Sequence, residues 1–279
     1  MFTKQDIKDY YKQTLNHYET WWQLGDHLSL LYGITDDKNE SFGDSINNTN
    51  QVFLHLAKIK STDRVLDAGC GVGGAAIFIN EQTGAEVTGI SLSEVQIEYA
   101  TQAAKQKNLS EVRFEVMDYL ETSFDDSSLD VVWACESSCH THDKKDFIKE
   151  MYRILKPGGR LIMSDFFILK EDQPDPKSWI KKWIDTWGVP NLAVFDTFVH
   201  DLEGFGFSSI ETHDYTQGIW KSAKRMYQAA LLGAVPSELY NLFHPNVTHF
   251  AKNHYKCGYY QYKALKRGLW KYHVILATK

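Results

Sequence analysis

The sequence predicts an α/β fold in which a mostly parallel sheet carries helices on both faces. Five short apolar segments have the composition of strands: 65–68, 86–90, 112–116, 129–134 and 160–167. Helical segments between them include 94–107 and 147–155. Strands that alternate with helices are typical of parallel sheets, because parallel neighbours need a crossover connection. Ligands of such sheets bind beyond the carboxyl ends of the strands.

A glycine-rich turn follows the first of these strands. Its sequence is DAGCGVGG at 67–74, and a helix is predicted from Ala75 onward. Glycines allow a ligand to approach the backbone closely, and a helix N-terminus presents free N–H groups. Gly69, Gly71 and Gly74 match the G-x-G-x-x-G spacing of dinucleotide-binding proteins. The turn therefore predicts a nucleotide-cofactor site, and NAD is one candidate.

Asp67 favours a different cofactor. A carboxylate next to a pyrophosphate would repel it, whereas a carboxylate next to an ammonium group attracts it. S-adenosylmethionine (SAM) carries both an α-amino group and a positively charged sulfonium. Asp67 and the glycines therefore suit SAM better than NAD. A strand-to-helix turn with a surface aspartate and no ligand is the remaining alternative.

Further motifs are similar to those of a known family. Residues 65–167 resemble a class I SAM-dependent methyltransferase, through DAGCGVGG and through LKPGGR at 155–160. GISLS at 89–93 and ESSCH at 136–140 resemble a subgroup that includes sterol, tocopherol, sarcosine/dimethylglycine and sugar O-methyltransferases. The resemblance implies a Rossmann-like sheet of seven strands with an antiparallel last strand. It also implies SAM as cofactor and S-adenosylhomocysteine as product.

The resemblance assigns a set of residues to the cofactor. They are Asp67, Gly69, Gly71, Gly73, Ser91, Leu92, Gln96, Asp118, Tyr119, Glu136 and Tyr18. Asp118 would accept a hydrogen bond from the adenine amino group, with Tyr119 beside the ring. Most class I enzymes hold the ribose with an acid where this chain has Ser91, so Ser91 and Gln96 would share that role. Glu136 would hold the methionine end of SAM or, in a C-methyltransferase, stabilise a cation.

His140 and Asp165 are the predicted catalytic residues. His140 follows the fourth strand by a few residues, and its ordinary pKa of about 6.5 suits a general base near neutral pH. In similar sugar O-methyltransferases, a His at this place acts with an Asp that ends the fifth strand, a position that Asp165 matches. A loop histidine near the start of the next helix is the alternative for His140, and His142 is a weaker candidate base.

The regions outside 65–167 are predicted to be additions to the core. We expect a helical cap over 1–62, a SAM-binding core over 63–216, a helical lid over 217–268 and a final strand over 269–279. Helices are expected at about 3–20 and 43–59, and strands at 207–215 and 270–278. Pro236 and Pro245 are expected to interrupt the lid.

Three tryptophans recur at helical spacing after a proline-rich break. They are Trp179, Trp183 and Trp187. The first interpretation is an apolar stripe that packs on the domain. The alternatives are a wall of an apolar substrate pocket and a peripheral membrane contact, since Trp is favoured at interfaces.

Composition limits the classes of partner. The chain has 279 residues, a net charge of −6 and no basic block, so nucleic acid is not the expected substrate. Its four cysteines lack metal-ligand spacing, so no metal is expected. The sequence shows neither a signal peptide nor a segment long and apolar enough to cross a bilayer, which predicts a cytoplasmic protein.

The sequence therefore predicts a SAM-dependent methyltransferase of the EC 2.1.1 type. Its acceptor would be a small, partly apolar or aromatic molecule of natural product or lipid metabolism, methylated on O, N or C. An NAD-dependent oxidoreductase and a non-catalytic SAM- or lipid-binding protein are the alternatives. Ser91 argues against the first, because NAD enzymes place an acid at the end of the second strand. The chain could be a monomer or a homodimer.

Overall fold

The computed structural model describes Thr3, Gln5, residues 28–29, 31–36, 41–244, 246 and 248–279. Its helices are α1 (Phe42–Ala57), α2 (Gly74–Thr83), α3 (Glu94–Gln106), α4 (Lys144–Ile154), α5 (Trp179–Trp187), α6 (Phe195–Phe205), α7 (Trp220–Phe243) and α8 (His249–Lys266). Its strands are β1 (Arg64–Ala68), β2 (Glu86–Ser91), β3 (Val112–Val116), β4 (Leu129–Cys135), β5 (Leu155–Ile168), β6 (Ala193–Val194), β7 (Ser208–Asp214) and β8 (Lys271–Thr278). Tyr18 and the helix expected at 3–20 lie outside the described residues.

The strands form a single sheet in the order β3-β2-β1-β4-β5-β8-β7, with β6 paired to β5. Strands β1 to β6 pair with one another in parallel, and β8 runs antiparallel to both β5 and β7. The fold class is confirmed. The described residues form eight strands where seven were expected, because the two-residue strand β6 continues the sheet beside the end of β5.

Apolar side chains cover both faces of the sheet. The central strands are buried on both sides, which explains the apolar run Val131–Cys135 in β4. One face packs against α1, α2, α5 and α8 through a core that includes Phe53, Trp133 and Trp183. The opposite face packs against α4 and α6 through Phe147 and Phe198.

Helices α7 and α8 lie between β7 and β8 in the chain, where the sequence predicts a mostly helical insertion. Pro236 does not break the insertion as expected, because it lies inside the 24-residue helix α7. A proline there removes one backbone hydrogen bond, and the helix continues past it. In the described part of the chain, no helix is long and apolar enough to cross a membrane.

Candidate active site

A cleft lies at the carboxyl ends of β1, β2 and β4, where the fold predicts a ligand. Together with its mouth it encloses about 1030 Å³. The described residues that line it are Leu28, Ser29, Leu31, Asp67, Gly69, Cys70, Gly71, Val72, Ala75, Ser91, Leu92, Ser93, Gln96, Tyr119, Cys135, Glu136, Ser137, His140 and Trp187. Eight of the predicted cofactor residues and the predicted base therefore line one cleft.

The glycine turn is shaped by backbone conformations that favour glycine. Gly69 has φ +91°, and the N–H groups of Gly69 and Cys70 both donate to the carbonyl of Ile90, at 3.0 and 2.9 Å. A Cβ at Gly69 would lie 2.5 Å from the Cβ of Ser137. Two strand ends therefore approach each other here because residue 69 has no side chain.

The predicted contact of Gly73 with the cofactor stays a prediction. Gly73 caps the N-terminus of α2 with φ +89°, and it is not among the described residues that line the cleft. A Cβ at Gly73 would lie 2.7 Å from the Cβ of Ala100. Gly73 therefore allows α2 to start close to α3, behind the cleft wall.

Asp67 lies at the bottom of the cleft with an unsatisfied oxygen. The side chain is buried, and the backbone N–H of Ala76, in the first turn of α2, donates a hydrogen bond to it. Its Oδ2 has no hydrogen-bond partner among the described residues. Burial raises the pKa of Asp67 to about 7. A cation bound in the cleft would stabilise the ionised carboxylate.

Glu136 is a second buried acid on the cleft wall. Its Oε1 accepts hydrogen bonds from the backbone N–H of Tyr32 at 2.8 Å and from the hydroxyl of Tyr272 at 2.7 Å. Its Oε2 is buried and has no partner in the described part of the protein. Burial raises the pKa of Glu136 to about 8. The segment before α1 and the last strand thus both fix this carboxyl group.

These two acids fit the methionine end of SAM. Two buried carboxylate oxygens without partners cost free energy unless a cationic or hydrogen-bonding group reaches them. SAM offers an ammonium group and a sulfonium, and SAM is therefore consistent with both Asp67 and Glu136. The described residues contain no cluster of side chains suited to a metal ion.

Ser91 and Gln96 lie next to each other at the end of β2, as their predicted shared role requires. The Ser91 hydroxyl donates to Oε1 of Gln96 at 2.8 Å and accepts from the N–H of Ser93 at 3.1 Å. Leu92 lines the cleft between them. Their contact with a ribose stays a prediction.

Of the two residues predicted at the adenine, only Tyr119 lines the described cleft. Tyr119 lines the cleft, and its hydroxyl donates to the carbonyl of Ser137 at 2.9 Å. Asp118 is not among the described cleft residues, and its Oδ1 accepts from the N–H of Leu120 at 2.9 Å. The role of Asp118 at the adenine amino group stays a prediction.

His140 ends a short 3₁₀ turn, Ser138–His140, that follows β4. Its ring lines the cleft, is 9% exposed, and meets the edge of Trp187 with centroids 6.1 Å apart. Burial lowers the pKa of His140 to about 4, and the nearby backbone of Gly188 opposes that shift. The imidazole is therefore neutral at physiological pH.

Asp165 contacts the turn that carries His140 and not its ring. Its Oδ2 accepts from the hydroxyl of Ser138 at 2.5 Å and from the N–H of Cys139 at 2.8 Å. Its Oδ1 accepts from the N–H of Phe166. None of the contacts that the structure describes for Asp165 is with the imidazole, and Asp165 instead holds the backbone turn that carries His140. The joint catalytic role of Asp165 and His140 stays a prediction.

Lys144 was not singled out from the sequence, yet it holds the same turn. The side chain is buried and donates to the carbonyls of Cys139 at 2.9 Å, Thr141 at 2.5 Å and Asn191 at 3.2 Å. Burial lowers its pKa to about 8, and attraction to Asp165 opposes that shift. Lys144 and Lys145 are adjacent and identical in type, so a single sequence does not indicate that only Lys144 is buried.

The tryptophan stripe packs mainly in the core. Trp183 is fully buried, and its ring stacks on Trp187 with centroids 5.5 Å apart. Trp179 is half-buried at the start of α5. Trp183 cannot meet a membrane from this position, so the membrane interpretation of the stripe is wrong for that residue. Trp187 lines the cleft, which agrees with the pocket-wall alternative.

The N-terminal segment contributes wall residues that the sequence did not reveal. Leu28, Ser29 and Leu31 line the cleft. Tyr32 was expected in the cap, and its N–H fixes Glu136. Tyr32 and Glu136 are 104 positions apart in sequence, and no local pattern signals a contact over that distance.

Comparison with known proteins agrees with this geometry. Residues 66–163 match the family described as a methyltransferase domain. The chain is 35% identical to 27-O-demethylrifamycin SV methyltransferase of Amycolatopsis mediterranei, over 76% of this chain and 80% of that protein. It is 32% identical to sterol 24-C-methyltransferase of Kluyveromyces lactis, over 75% of this chain, and it spans 56% of the length of that relative.

The fold has a close structural counterpart. A cyclopropane synthase from Mycobacterium tuberculosis superposes with a TM-score of 0.84 over 100% of this chain and 99% of that one, at 14% identity. That likeness shows the fold. The sequence match to the rifamycin relative covers most of both chains, and the cleft holds two buried acids that suit the cationic groups of SAM. The chain belongs to the class I SAM-dependent methyltransferases.

Proposed function

We propose that this protein transfers the methyl group of SAM to a hydroxyl oxygen of a small, partly apolar metabolite. The observation that carries the proposal is His140, a neutral imidazole that lines the cofactor cleft. O-methylation needs a base for the hydroxyl proton, whereas an uncharged amine needs none. C-methylation would need the cleft to stabilise a carbocation instead.

SAM, when bound, supplies a methyl group that is activated by the positive sulfur. Asp67 and Glu136 would hold the ammonium group through the oxygens that have no partner among the described residues. Ser91 and Gln96 would bind the ribose hydroxyls, with Tyr119 beside the adenine. These contacts fix the cofactor, so that the acceptor need only be aligned with it.

His140 would take the hydroxyl proton of the acceptor. A neutral imidazole carries a lone pair on one of its two ring nitrogens, and that lone pair can accept the proton. Asp165 and Lys144 fix the turn beneath the ring. A low pKa keeps the imidazole unprotonated and ready, although it also makes the base weaker.

The apolar character of the acceptor is inferred from the cleft wall. Leu28, Leu31, Val72 and Trp187 face the cleft close to the polar groups. The names of two relatives give 27-O-demethylrifamycin SV and a sterol as their acceptors. By this comparison we propose a ring-bearing, partly apolar acceptor for this chain. The lid role expected for residues 217–268 stays a prediction, because no residue of α7 or α8 is among the described residues that line the cleft.

The test is incubation of the purified protein with methyl-labelled SAM and a metabolite extract, followed by separation into organic and aqueous phases. Label in the organic phase that is lost in His140→Gln and kept in His142→Gln supports the proposal. His142 is exposed and close in sequence, which makes it a matched control. Label confined to the aqueous phase contradicts the apolar acceptor.

Binding measurements separate the remaining alternatives. His140→Gln should leave the SAM dissociation constant unchanged, because the proposed role of the ring is at the acceptor. A protein that binds SAM but labels nothing with any extract would be a non-catalytic binder. Label that persists in His140→Gln would remove the base from the mechanism and favour C- or N-methylation.

A further inference from the structure

The second half of α7 has an exposed apolar face. Its six members are between 49% and 74% exposed: Leu231, Leu232, Val235, Leu239, Leu242 and Phe243. At about 100° per residue, all six fall within an arc of roughly 120° on one side of the helix. We call this set the α7 stripe.

The α7 stripe is not needed to pack α7 onto α8. The opposite side of α7 makes that contact, where Ala230 is buried and Gly258 of α8 lies so close that a Cβ would be 2.4 Å from the carbonyl oxygen of Met226. Other exposed large aliphatic residues in the described part of the chain are single ones, such as Val116 and Leu169. A contiguous exposed apolar face marks an interaction surface.

Charge identifies the kind of partner. Residues 220–266 contain seven lysines and arginines and one glutamate, in a chain whose net charge is −6. Lys221 and Lys224 are exposed and lie on the same side of α7 as the stripe, about two turns before it. The one acid, Glu238, forms an ion pair with Lys256 at 3.2 Å. The two exposed lysines therefore give the stripe side of α7 a positive charge.

We propose that α7 and α8 dock on an anionic lipid bilayer, with the α7 stripe in the interface and the lysines near the headgroups. Apolar side chains beside Lys and Arg are the combination that binds such surfaces. A second copy of the chain fits less well, because a two-fold contact through this face would bring two basic surfaces together. The contact is peripheral, since α7 is not apolar enough to span.

The proposal does not rest on the proposed function, because docking is measured without methyl transfer. The experiment is co-sedimentation of the full chain with phosphatidylcholine vesicles that contain or lack phosphatidylglycerol. The wild type should bind the anionic vesicles at least about tenfold more tightly than the neutral ones, and salt should weaken the binding. Lys221→Gln with Lys224→Gln should reduce the difference between the two lipids.

The apolar part is tested with a matched pair of double variants. Leu232→Ser with Leu242→Ser should lower vesicle binding at least about tenfold, since each change removes buried methylene groups from the interface. Val116→Ser with Leu169→Ser changes two exposed apolar residues elsewhere and should leave binding unchanged. All four side chains are exposed, and thermal melting checks that each variant is folded.

Three results would overturn the proposal. The first is a wild type that binds neither vesicle at low salt, and the second is equal loss of binding in both double variants. The third is a dimer in sedimentation velocity that Leu232→Ser with Leu242→Ser dissociates, without lipid binding by the wild type. That last result would assign the α7 stripe to a second copy of the chain.

Discussion

The hydroxyl of Tyr272 donates to Oε1 of Glu136 at 2.7 Å, and this bond connects the last strand to the loop after β4. The two residues are 136 positions apart in sequence. Tyr272 is also 2.8 Å from the hydroxyl of Ser164 on β5. The C-terminal strand, which adds no residue to the described cleft wall, therefore controls one of its two buried acids.

Tyr272→Phe should weaken SAM binding. The change removes one of the two donors to Oε1 of Glu136, which raises the pKa of that acid further and makes its ionised form harder to maintain. A charge-assisted hydrogen bond contributes roughly 1.5–3 kcal/mol, so we expect a loss of affinity of about tenfold or more by calorimetry. Tyr152→Phe, on α4, is the control. Equal affinity in wild type and Tyr272→Phe would contradict the role of Glu136.

The buried acids should make the ligand-free protein less stable as pH rises. Burial raises the pKa of Asp67 to about 7 and of Glu136 to about 8. Between about pH 4 and those values the folded state holds protons that the unfolded chain has lost, so the free energy of unfolding falls with rising pH. Each group contributes up to about 1.4 kcal/mol per pH unit.

Urea denaturation between pH 5 and pH 8 checks that sign. Asp67→Asn with Glu136→Gln should show a smaller fall in stability over this range than the wild type. Saturating SAM should also reduce the fall, because a bound cation favours the ionised carboxylates. A wild type that becomes more stable from pH 5 to pH 8 by the same amount as the double variant would show that these acids are already ionised.

The local features of the site could be predicted from sequence because they lie within one strand and its following turn. Asp67, Gly69 and Gly71 are determined by β1 and the start of α2, and the structure places them together at the cleft. The pairing of His140 with Asp165 could not be judged in this way. It depends on how the 3₁₀ turn lies over the end of β5, and the Ser138 hydroxyl and Cys139 N–H reach the carboxylate instead.

Burial was the second quantity that one sequence could not supply. Periodicity placed Trp183 and Trp187 on one side of a helix, but it does not say whether that side meets the core, a cleft or a membrane. The structure places Trp183 in the core and Trp187 at the cleft. Helix α7 has apolar residues at a similar spacing, but they are exposed. They are exposed because α8 packs on the side of α7 that faces away from the stripe.

The pH profile of methyl transfer should lack a rising limb near the ordinary histidine pKa. Burial lowers the pKa of His140 to about 4, so the ring is neutral between pH 6 and pH 9. With saturating SAM and an acceptor identified by labelling, the titration of His140 should therefore cause no change in kcat between pH 6 and pH 9. His140→Gln should lower kcat by about 10²–10⁴. A limb near pH 6.5 that His140→Gln abolishes would show that the ring is solvated.

Lys144→Met should destabilise the protein, although Lys144 is not among the described residues that line the cleft. The ammonium group donates to three backbone carbonyls, and its loss leaves buried acceptors without that donor. We expect a loss of about 2–4 kcal/mol in urea denaturation. Lys145→Met is the matched control, since Lys145 is exposed and its 3.5 Å ion pair with Asp201 contributes at most about 1 kcal/mol. Similar losses in both variants would contradict the anchoring role.

Gly69→Ala should disturb the cofactor site more than Gly84→Ala, a substitution at another glycine with positive φ and a similar conformational cost. Gly69 and Gly84 both have positive φ, +91° and +75°, so both alanines pay a conformational cost on the order of 1 kcal/mol. The new Cβ at residue 69 would also lie 2.5 Å from Ser137, whereas at residue 84 the nearest atom, on Ser61, is 3.7 Å away. Gly69→Ala should therefore lower both stability and SAM affinity, and Gly84→Ala should lower stability alone. Because Ser137 directly follows Glu136, a shift of that loop also moves the acid proposed to hold the SAM ammonium group. Equal SAM affinity in the two variants would show that the close approach of the strand ends does not shape the cofactor site.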